Sequence, residues 1–227
     1  GRILSELKFF LKKMNLIPED SLFDNNCRKL NFSSNSESIN FVKVRAFDVC
    51  TFVEFGAAQL GVAGSDIIEE FNSSEIYSPV NLNIGKCRIS VAALETLIRK
   101  EDPKTWSNIR IATKYPNITR KYFAEKGIQV EAIKLNGSIE LAPTLSMCRR
   151  VVDLVSTGKT LKENGLIEVE KIMDVSSKLI VNRSALKTDA NKIKKIINNI
   201  NKTIIDKIAA TLFALIIPII FINKKIA

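Results

Sequence analysis

The sequence predicts an α/β protein whose sheets are largely parallel. Short apolar segments typical of buried strands alternate with segments of helical periodicity along the chain of 227 residues. Hydrophobic residues make up 46% and charged residues 26%, which are ordinary values for a protein that buries a core. Because a strand, a helix and the next strand form a β-α-β unit, this alternation favours strands that run in one direction.

The first hundred residues contain both kinds of segment. Residues 2–16 carry apolar side chains at helical spacing, and residues 49–60 form a second predicted helix. Residues 31–40 are rich in Ser and Asn, as in an exposed loop, and residues 41–45 alternate like a strand. The remaining predicted elements here are strands over 61–64 and 87–93 and a helix that continues to about residue 100.

A second unit is predicted to begin at Asp102-Pro103. Its predicted strands cover residues 109–113, 130–135, 151–155 and 177–182. Its predicted helices cover residues 117–126, with Gly127 as the C-cap, and residues 143–148, and another helix follows the last strand.

The chain contains no histidine, which excludes every mechanism that needs an imidazole. Ser-His-Asp and Cys-His hydrolysis, His-ligated zinc and His-ligated haem are therefore ruled out. The four cysteines form no CxxC pair, so we expect no metal site built by the protein. Scattered cysteines and the lack of a signal peptide predict the cytoplasm.

The basic character of the chain is concentrated in its last part. Eight lysines against two aspartates in residues 186–227 account for +6 of the net charge of +10. We favour a solvated lysine-rich helix there over a nucleic-acid-binding segment. The apolar run 208–222 is shorter than the ~18–20 residues that span a bilayer. We therefore favour a packed or oligomer-forming helix over a membrane-associated one.

The most informative segment is residues 151–161, where a predicted buried strand runs into small polar residues. A helix that starts there directs N–H groups and its positive dipole end toward one point, which suits a phosphate. We name the turn the 156–160 loop; it consists of Ser156, Thr157, Gly158, Lys159 and Thr160. A Walker A motif is excluded, because it needs glycine where this chain has Asp153. The loop resembles a phosphoribosyl pyrophosphate loop, and the alternative is an ordinary strand-to-helix turn.

A series of short segments extends this pattern over roughly residues 1–187. They are GRIL at 1–4, Arg45, Asp48-Val49, GAA at 56–58, Leu60-Gly61, Gly64 with Asp66, GKCR at 85–88, ATKYPN at 112–117, GSIELAP at 137–143, DLVSTGKTL at 153–161 and NGL at 164–166. In this order the segments resemble the short form of ATP phosphoribosyltransferase, which catalyses the first step of histidine biosynthesis. Each segment is weak alone, and the combination is specific.

The resemblance implies a two-lobed fold like that of periplasmic binding proteins, with the active site in the cleft between the lobes. Residues 1–100 plus 177–190 would form lobe I on the ATP side, and residues 105–176 would form lobe II with the phosphoribosyl pyrophosphate loop. Residues 191–227 would be a basic and apolar helical tail. The family's first strand is expected before Gly1.

The implied reaction joins N1 of the adenine of ATP to C1 of phosphoribosyl pyrophosphate and releases pyrophosphate. By resemblance, Asp153 and Glu140 are the catalytic residues, and Asp153 binds phosphoribosyl pyrophosphate together with the 156–160 loop. Arg2, Arg45 and Asp48 would bind ATP. Magnesium would travel with the pyrophosphate. The alternatives are a helix N-cap at Asp48 and a surface loop position for Glu140.

Only about 40 residues follow Ala185, so we expect no histidine-binding regulatory domain in this chain. The resemblance implies a hetero-oligomer with a regulatory subunit similar to histidyl-tRNA synthetase. Three residues depart from the family pattern: Phe55 replaces a histidine, and Gln59 and Arg149 replace acids. They favour the alternative of a non-catalytic relative that binds a nucleotide or a phosphoribosyl ligand. A membrane-associated or nucleic-acid-binding protein is the other alternative.

Overall fold

The computed structural model describes residues 2–98 and 108–223, and it describes side chains for residues 3–98 and 108–206. The helices are α1 (Arg2–Lys13), α2 (Val49–Glu54), α3 (Ser65–Phe71), α4 (Glu95–Ile98), α5 (Pro116–Ala124), α6 (Leu141–Thr144), α7 (Lys159–Glu163), α8 (Ala185–Thr188) and α9 (Ala190–Asn223). The strands are β1 (Asn31–Phe32), β2 (Phe41–Val42), β3 (Leu60–Gly64), β4 (Ile76–Asn81), β5 (Cys87–Leu94), β6 (Asn108–Thr113), β7 (Gln129–Lys134), β8 (Arg150–Val155), β9 (Leu166–Val175) and β10 (Ser177–Asn182).

The chain divides into two compact units. Unit 1 consists of Gly1–Ala63, Ser74–Ile84 and Lys178–Ala227, and unit 2 consists of Gly64–Ser73 and Gly85–Ser177. Residues 64–73 and 85–98, which the sequence places in lobe I, thus belong to unit 2. The reason is that β5 lies inside the sheet of unit 2, where it is hydrogen-bonded to β8 and β9. The predicted start of a second unit at Asp102-Pro103 lies outside the described residues.

Unit 1 is built on a three-stranded sheet in the order β3-β10-β4, with β1 and β2 forming a separate antiparallel pair. Phe10 of α1 and Ile200 of α9 are buried in the same apolar cluster as Val80 and Leu179 of the sheet. The helical spacing predicted for residues 2–16 is therefore confirmed, since its apolar face packs against this core. The side chains of the apolar run 208–222 lie outside those described.

Unit 2 contains a five-stranded sheet in the order β7-β6-β8-β5-β9. β6 pairs in parallel with β7 and with β8, whereas β5 pairs antiparallel with both of its neighbours. The prediction of largely parallel sheets is therefore wrong, because the sheet of unit 2 is mixed and β4 of unit 1 also pairs antiparallel with β10. β5 comes from far earlier in the chain than its neighbours β8 and β9, so no single crossover helix joins them in parallel.

Two predicted helices differ from the observed ones because residues with positive φ follow them. The helix predicted over 49–60 ends at Glu54, and Gly56 then adopts a φ of +72°. The helix predicted over 143–148 is instead α6, and Ser146 beyond it has a φ of +58°. The helix predicted over 117–126 is observed as α5, with Glu125 and not Gly127 at its C-cap position. Gly127 still closes the turn after the helix, with a φ of +73° and an N–H that donates to the carbonyl of Ala124 at 2.9 Å. Within the described ranges, no helix has the length and hydropathy needed to cross a membrane.

The start of α5 is fixed by a carboxylate from another helix. Glu70 of α3 accepts hydrogen bonds from the backbone N–H groups of Asn117 and Ile118, each at 3.0 Å. The side-chain amide of Asn117 donates in return to the carbonyl of Glu70 at 3.0 Å. Because the first N–H groups of a helix have no partner inside the helix, this carboxylate replaces the missing cap.

We expect Glu70→Ala to lower the free energy of unfolding by about 1–2 kcal/mol, because two helix N–H groups lose their acceptor. Denaturant unfolding followed by circular dichroism measures the change. Glu69→Ala is the matched control: Glu69 is the exposed neighbour on the same helix and should change stability by less than about 0.5 kcal/mol. Equal losses in the two variants would contradict the capping role.

Candidate active site

The 156–160 loop begins where the buried strand β8 ends. Val151, Val152 and Val155 are at most 2% exposed, so the strand is anchored in the core up to the residue before the loop. Gly158 has a φ of +76° and stands at the N-cap position of α7. A residue with a side chain is strained at this φ, and glycine is not, which explains the glycine at the turn. The predicted strand, glycine turn and helix start are therefore confirmed as local structure.

The loop presents backbone and side-chain donors to solvent. Thr157 Oγ1 accepts a hydrogen bond of 3.4 Å from the N–H of Lys159. The N–H groups of Thr157 and Gly158 have no hydrogen-bond partner among the residues that the structure describes. Two adjacent backbone donors at a turn can bind one anion. The Lys159 ammonium lies 3.7 Å from Glu163, and both side chains are exposed, so this pair contributes little to stability.

Asp153 is half-buried two residues before the end of β8. Burial raises the pKa of this carboxyl above its ordinary value, and the hydrogen bond that its Oδ1 accepts from the N–H of Leu154 at 2.8 Å lowers it. The negative charge of Glu140 raises the pKa further, and Lys114 opposes this effect. Glu140 and Lys114 thus both influence Asp153 through their charges, and the sequence indicated no role for this lysine.

Glu140 stands at the N-cap position of α6 but makes no capping hydrogen bond with its side chain. It is half-buried and lies in the turn that precedes α6. Its carboxylate is therefore not used by the helix that follows it.

A buried tyrosine–aspartate pair belongs to the same unit as Asp153. The hydroxyl of Tyr115 donates a hydrogen bond of 2.8 Å to Oδ2 of Asp66, and the two residues are 1% and 3% exposed. Burial raises the pKa of Tyr115 far above its usual range, and the negative charges of Asp66 and Asp153 add to this, so the phenol stays protonated. A Cβ at Gly64 would lie 2.1 Å from Oδ1 of Asp66, so this carboxylate needs glycine there.

An arginine–glutamate pair supports the first residue of the loop. Arg88 donates through Nε and Nη2 to the two carboxylate oxygens of Glu168, with an Nε–Oε1 distance of 2.6 Å. Its Nη1 donates to the carbonyl of Ser156 at 3.3 Å. The hydrogen bond with Glu168 raises the pKa of Arg88, and the same bond lowers the pKa of Glu168. Sequence reasoning missed this pair, because β9, which carries Glu168, was not predicted as a strand.

The residues predicted to bind ATP belong to unit 1. Arg45 and Asp48 are both exposed, and the N–H of Asp48 donates to the carbonyl of Arg45 at 2.9 Å. Asp48 occupies the N-cap position of α2, but its side chain makes no capping hydrogen bond. The side chain of Arg2 lies outside those described.

The three departures from the family pattern lie on the surface. Phe55 is 80% exposed, and Gln59 and Arg149 are also exposed. Arg149 precedes β8, whereas the loop follows it, so about 20 Å of extended strand separates Arg149 from Ser156. In the parts of the chain that are described, no group of three or more carboxylates and thiolates is arranged to hold a metal ion.

Comparison with known proteins gives consistent matches. Residues 45–202 match the family model "HisG: ATP phosphoribosyltransferase". An ATP phosphoribosyltransferase of Rhizorhabdus wittichii is 51% identical over 210 residues, which are 92% of this chain and 95% of that protein. Another from Rhodospirillum rubrum is 56% identical over 187 residues, 82% of each chain.

A solved structure shares the fold. The ATP phosphoribosyl transferase (HisG:HisZ) complex from Thermotoga maritima contains a chain with a TM-score of 0.74 and 29% identity, and the match covers 90% of this chain and 94% of that one. The two units and this similarity confirm the predicted two-lobed α/β fold. The sequence and structural matches together show that this chain belongs to the ATP phosphoribosyltransferase family, the enzymes of the first step of histidine biosynthesis.

Proposed function

We propose that the 156–160 loop of this ATP phosphoribosyltransferase holds the 5-phosphate of phosphoribosyl pyrophosphate. The observation that carries the proposal is the pair of backbone N–H groups of Thr157 and Gly158, in the loop that follows the strand of the half-buried Asp153. Backbone donors at a turn bind a phosphate without a conformational cost at the moment of binding. The hydroxyls of Ser156, Thr157 and Thr160 add donors at the same turn.

Asp153 and Glu140 act on the ribose. In the proposed reaction N1 of ATP forms a bond to C1 of the sugar, and the bond from C1 to pyrophosphate breaks. The sugar becomes more positive as pyrophosphate leaves, and two nearby carboxylates stabilise this charge. The half-buried position of Asp153 supports the role, because a carboxylate shielded from water interacts more strongly with a developing positive charge. Both carboxylates can also accept hydrogen bonds from ribose hydroxyls.

Magnesium enters this reaction as part of the substrate, bound to pyrophosphate oxygens. It neutralises charge on the leaving group, which is chemistry that carboxylates cannot supply. The residues of the chain then need only to bind the sugar and the 5-phosphate and to orient C1 toward the adenine.

Arg2, Arg45 and Asp48 contact ATP in this proposal. The exposed positions of Arg45 and Asp48 support it, because an exposed cation can meet a nucleotide phosphate and an exposed carboxylate can accept bonds from an adenine amino group or from ribose. The lack of a capping bond at Asp48 leaves its carboxylate for such a contact.

The chain works with a regulatory subunit similar to histidyl-tRNA synthetase in this proposal. The solved HisG:HisZ complex from Thermotoga maritima supports a hetero-oligomer. The four free cysteines favour a reducing compartment, and we propose the cytoplasm.

We expect Asp153→Asn to lower kcat on the order of 100-fold or more, because it removes a negative charge that stabilises the sugar in the transition state. The measurement is formation of phosphoribosyl-ATP from ATP, phosphoribosyl pyrophosphate and magnesium, with and without the regulatory subunit. Glu131→Gln is the matched control, since it neutralises an exposed carboxylate of the same sheet. Full activity in Asp153→Asn would refute the assigned role, and a folded but inactive wild-type chain would favour the non-catalytic relative.

The same substitution should stabilise the folded chain above the pKa of Asp153. Because burial raises this pKa in the folded state, the ionised carboxylate lowers stability at pH 8, and the penalty disappears as the pH falls through the folded pKa toward the unfolded value. Asparagine removes the charge and keeps an oxygen for the N–H of Leu154. Denaturant unfolding of both proteins at pH 8 and at pH 4 measures the difference. If the increase in the free energy of unfolding were as large at pH 4 as at pH 8, the result would contradict the burial of an ionised Asp153.

A further inference from the structure

The Arg88 guanidinium joins two elements that flank β5. Its fork faces the carboxylate of Glu168 on β9, and its remaining nitrogen contacts the carbonyl of Ser156 after β8. We propose that Arg88, held in place by Glu168, is a positioning residue that sets the orientation of the 156–160 loop for phosphoribosyl pyrophosphate. The inference rests on the proposed phosphate-binding role of that loop.

Glu168 is itself fixed, which makes it a firm support for the guanidinium. The hydroxyl of Ser90, a residue with no solvent exposure, donates to Oε1 of Glu168 at 2.7 Å. The side chains of Arg88 and Glu168 are 32% and 28% exposed, so the pair is partly shielded from water. Two parallel charge-assisted hydrogen bonds in this setting restrict the guanidinium to one plane.

The peptide bond between Ser156 and Thr157 connects the fixed guanidinium to the direction of a backbone N–H. The described chain contains no cis peptide, and in a trans peptide the carbonyl of one residue and the N–H of the next point in opposite directions. When the carbonyl of Ser156 faces Arg88, the N–H of Thr157 therefore points away from Arg88. This N–H is one of the two donors assigned to the 5-phosphate, so a rotation of this peptide would aim it wrongly.

The role of Arg88 is geometric and not a matter of net charge. Glu168 lies against the guanidinium and cancels most of its charge at a distance, so Arg88 adds little general attraction for anions. A lysine has the same charge but lacks the planar fork, and it cannot hold the Glu168 carboxylate and the Ser156 carbonyl in one fixed plane. Lysine should therefore fail to replace arginine.

The test is the steady-state kinetics of Arg88→Lys and Glu168→Gln, with each substrate varied at saturation of the other. We expect the KM for phosphoribosyl pyrophosphate to rise about tenfold in both variants, as for a lost charge-assisted hydrogen bond. We expect kcat to change by less than about twofold and the KM for ATP to stay constant, because the 5-phosphate is held equally in the ground and transition states. Calorimetric titration with magnesium phosphoribosyl pyrophosphate should show a Kd that rises by the same factor.

Arg110→Lys is the matched control. Arg110 also forms a cross-strand pair with a glutamate of the same sheet, through one hydrogen bond of 2.8 Å from its Nε to Glu131, and both side chains are more than half exposed. The inference would be overturned if the KM for phosphoribosyl pyrophosphate in both test variants equalled that of the control. It would also be overturned if the KM for ATP and the KM for phosphoribosyl pyrophosphate changed by the same factor. If Arg88→Lys does not fold, Glu168→Gln decides alone, since it preserves side-chain shape. An inactive wild-type chain or an active Asp153→Asn would instead count against the proposed function itself.

Discussion

The pairing of β5 between β8 and β9 is the constraint on which the candidate site depends. This strand lies antiparallel to both neighbours and places Ser90 opposite Asp153. The four residues from Ser90 to Ala93 are at most 1% exposed, so both faces of the strand are covered. A shift of one residue would exchange the two faces and separate Arg88 from Glu168, and burial on both faces therefore fixes the register.

The site also places acidic side chains where water has little access. Asp153 is half-buried with a raised pKa, and Asp66 is buried with the hydroxyl of Tyr115 as a partner. A carboxylate that loses solvation lowers the stability of the fold, and stabilising changes at such positions commonly remove function. The exposed pair of Arg110 and Glu131 carries no such penalty, which is why it serves as a neutral reference within the same sheet.

Local signals made part of the structure predictable, and long-range pairing hid the rest. The buried strand before the 156–160 loop and the glycine turn at Gly158 follow from a short stretch of sequence, and the structure has both. β9 was not predicted, because residues such as Glu168 and Glu170 interrupt its apolar pattern, and their partners lie about 80 and 44 positions away in the chain. The direction of β5 and the boundary of unit 2 depend on that same distant pairing. From the sequence alone, the sheets were therefore predicted to be largely parallel and lobe I was predicted to be too long.

The most direct test of the account is a crystal structure of the chain with magnesium phosphoribosyl pyrophosphate bound. We expect 5-phosphate oxygens within about 2.7–3.2 Å of the backbone nitrogens of Thr157 and Gly158. The carboxylate of Asp153 should contact the ribose hydroxyls, and the carbonyl of Ser156 should still accept a hydrogen bond from Arg88. A 5-phosphate bound elsewhere, with the 156–160 loop making no contact to the ligand, would contradict it.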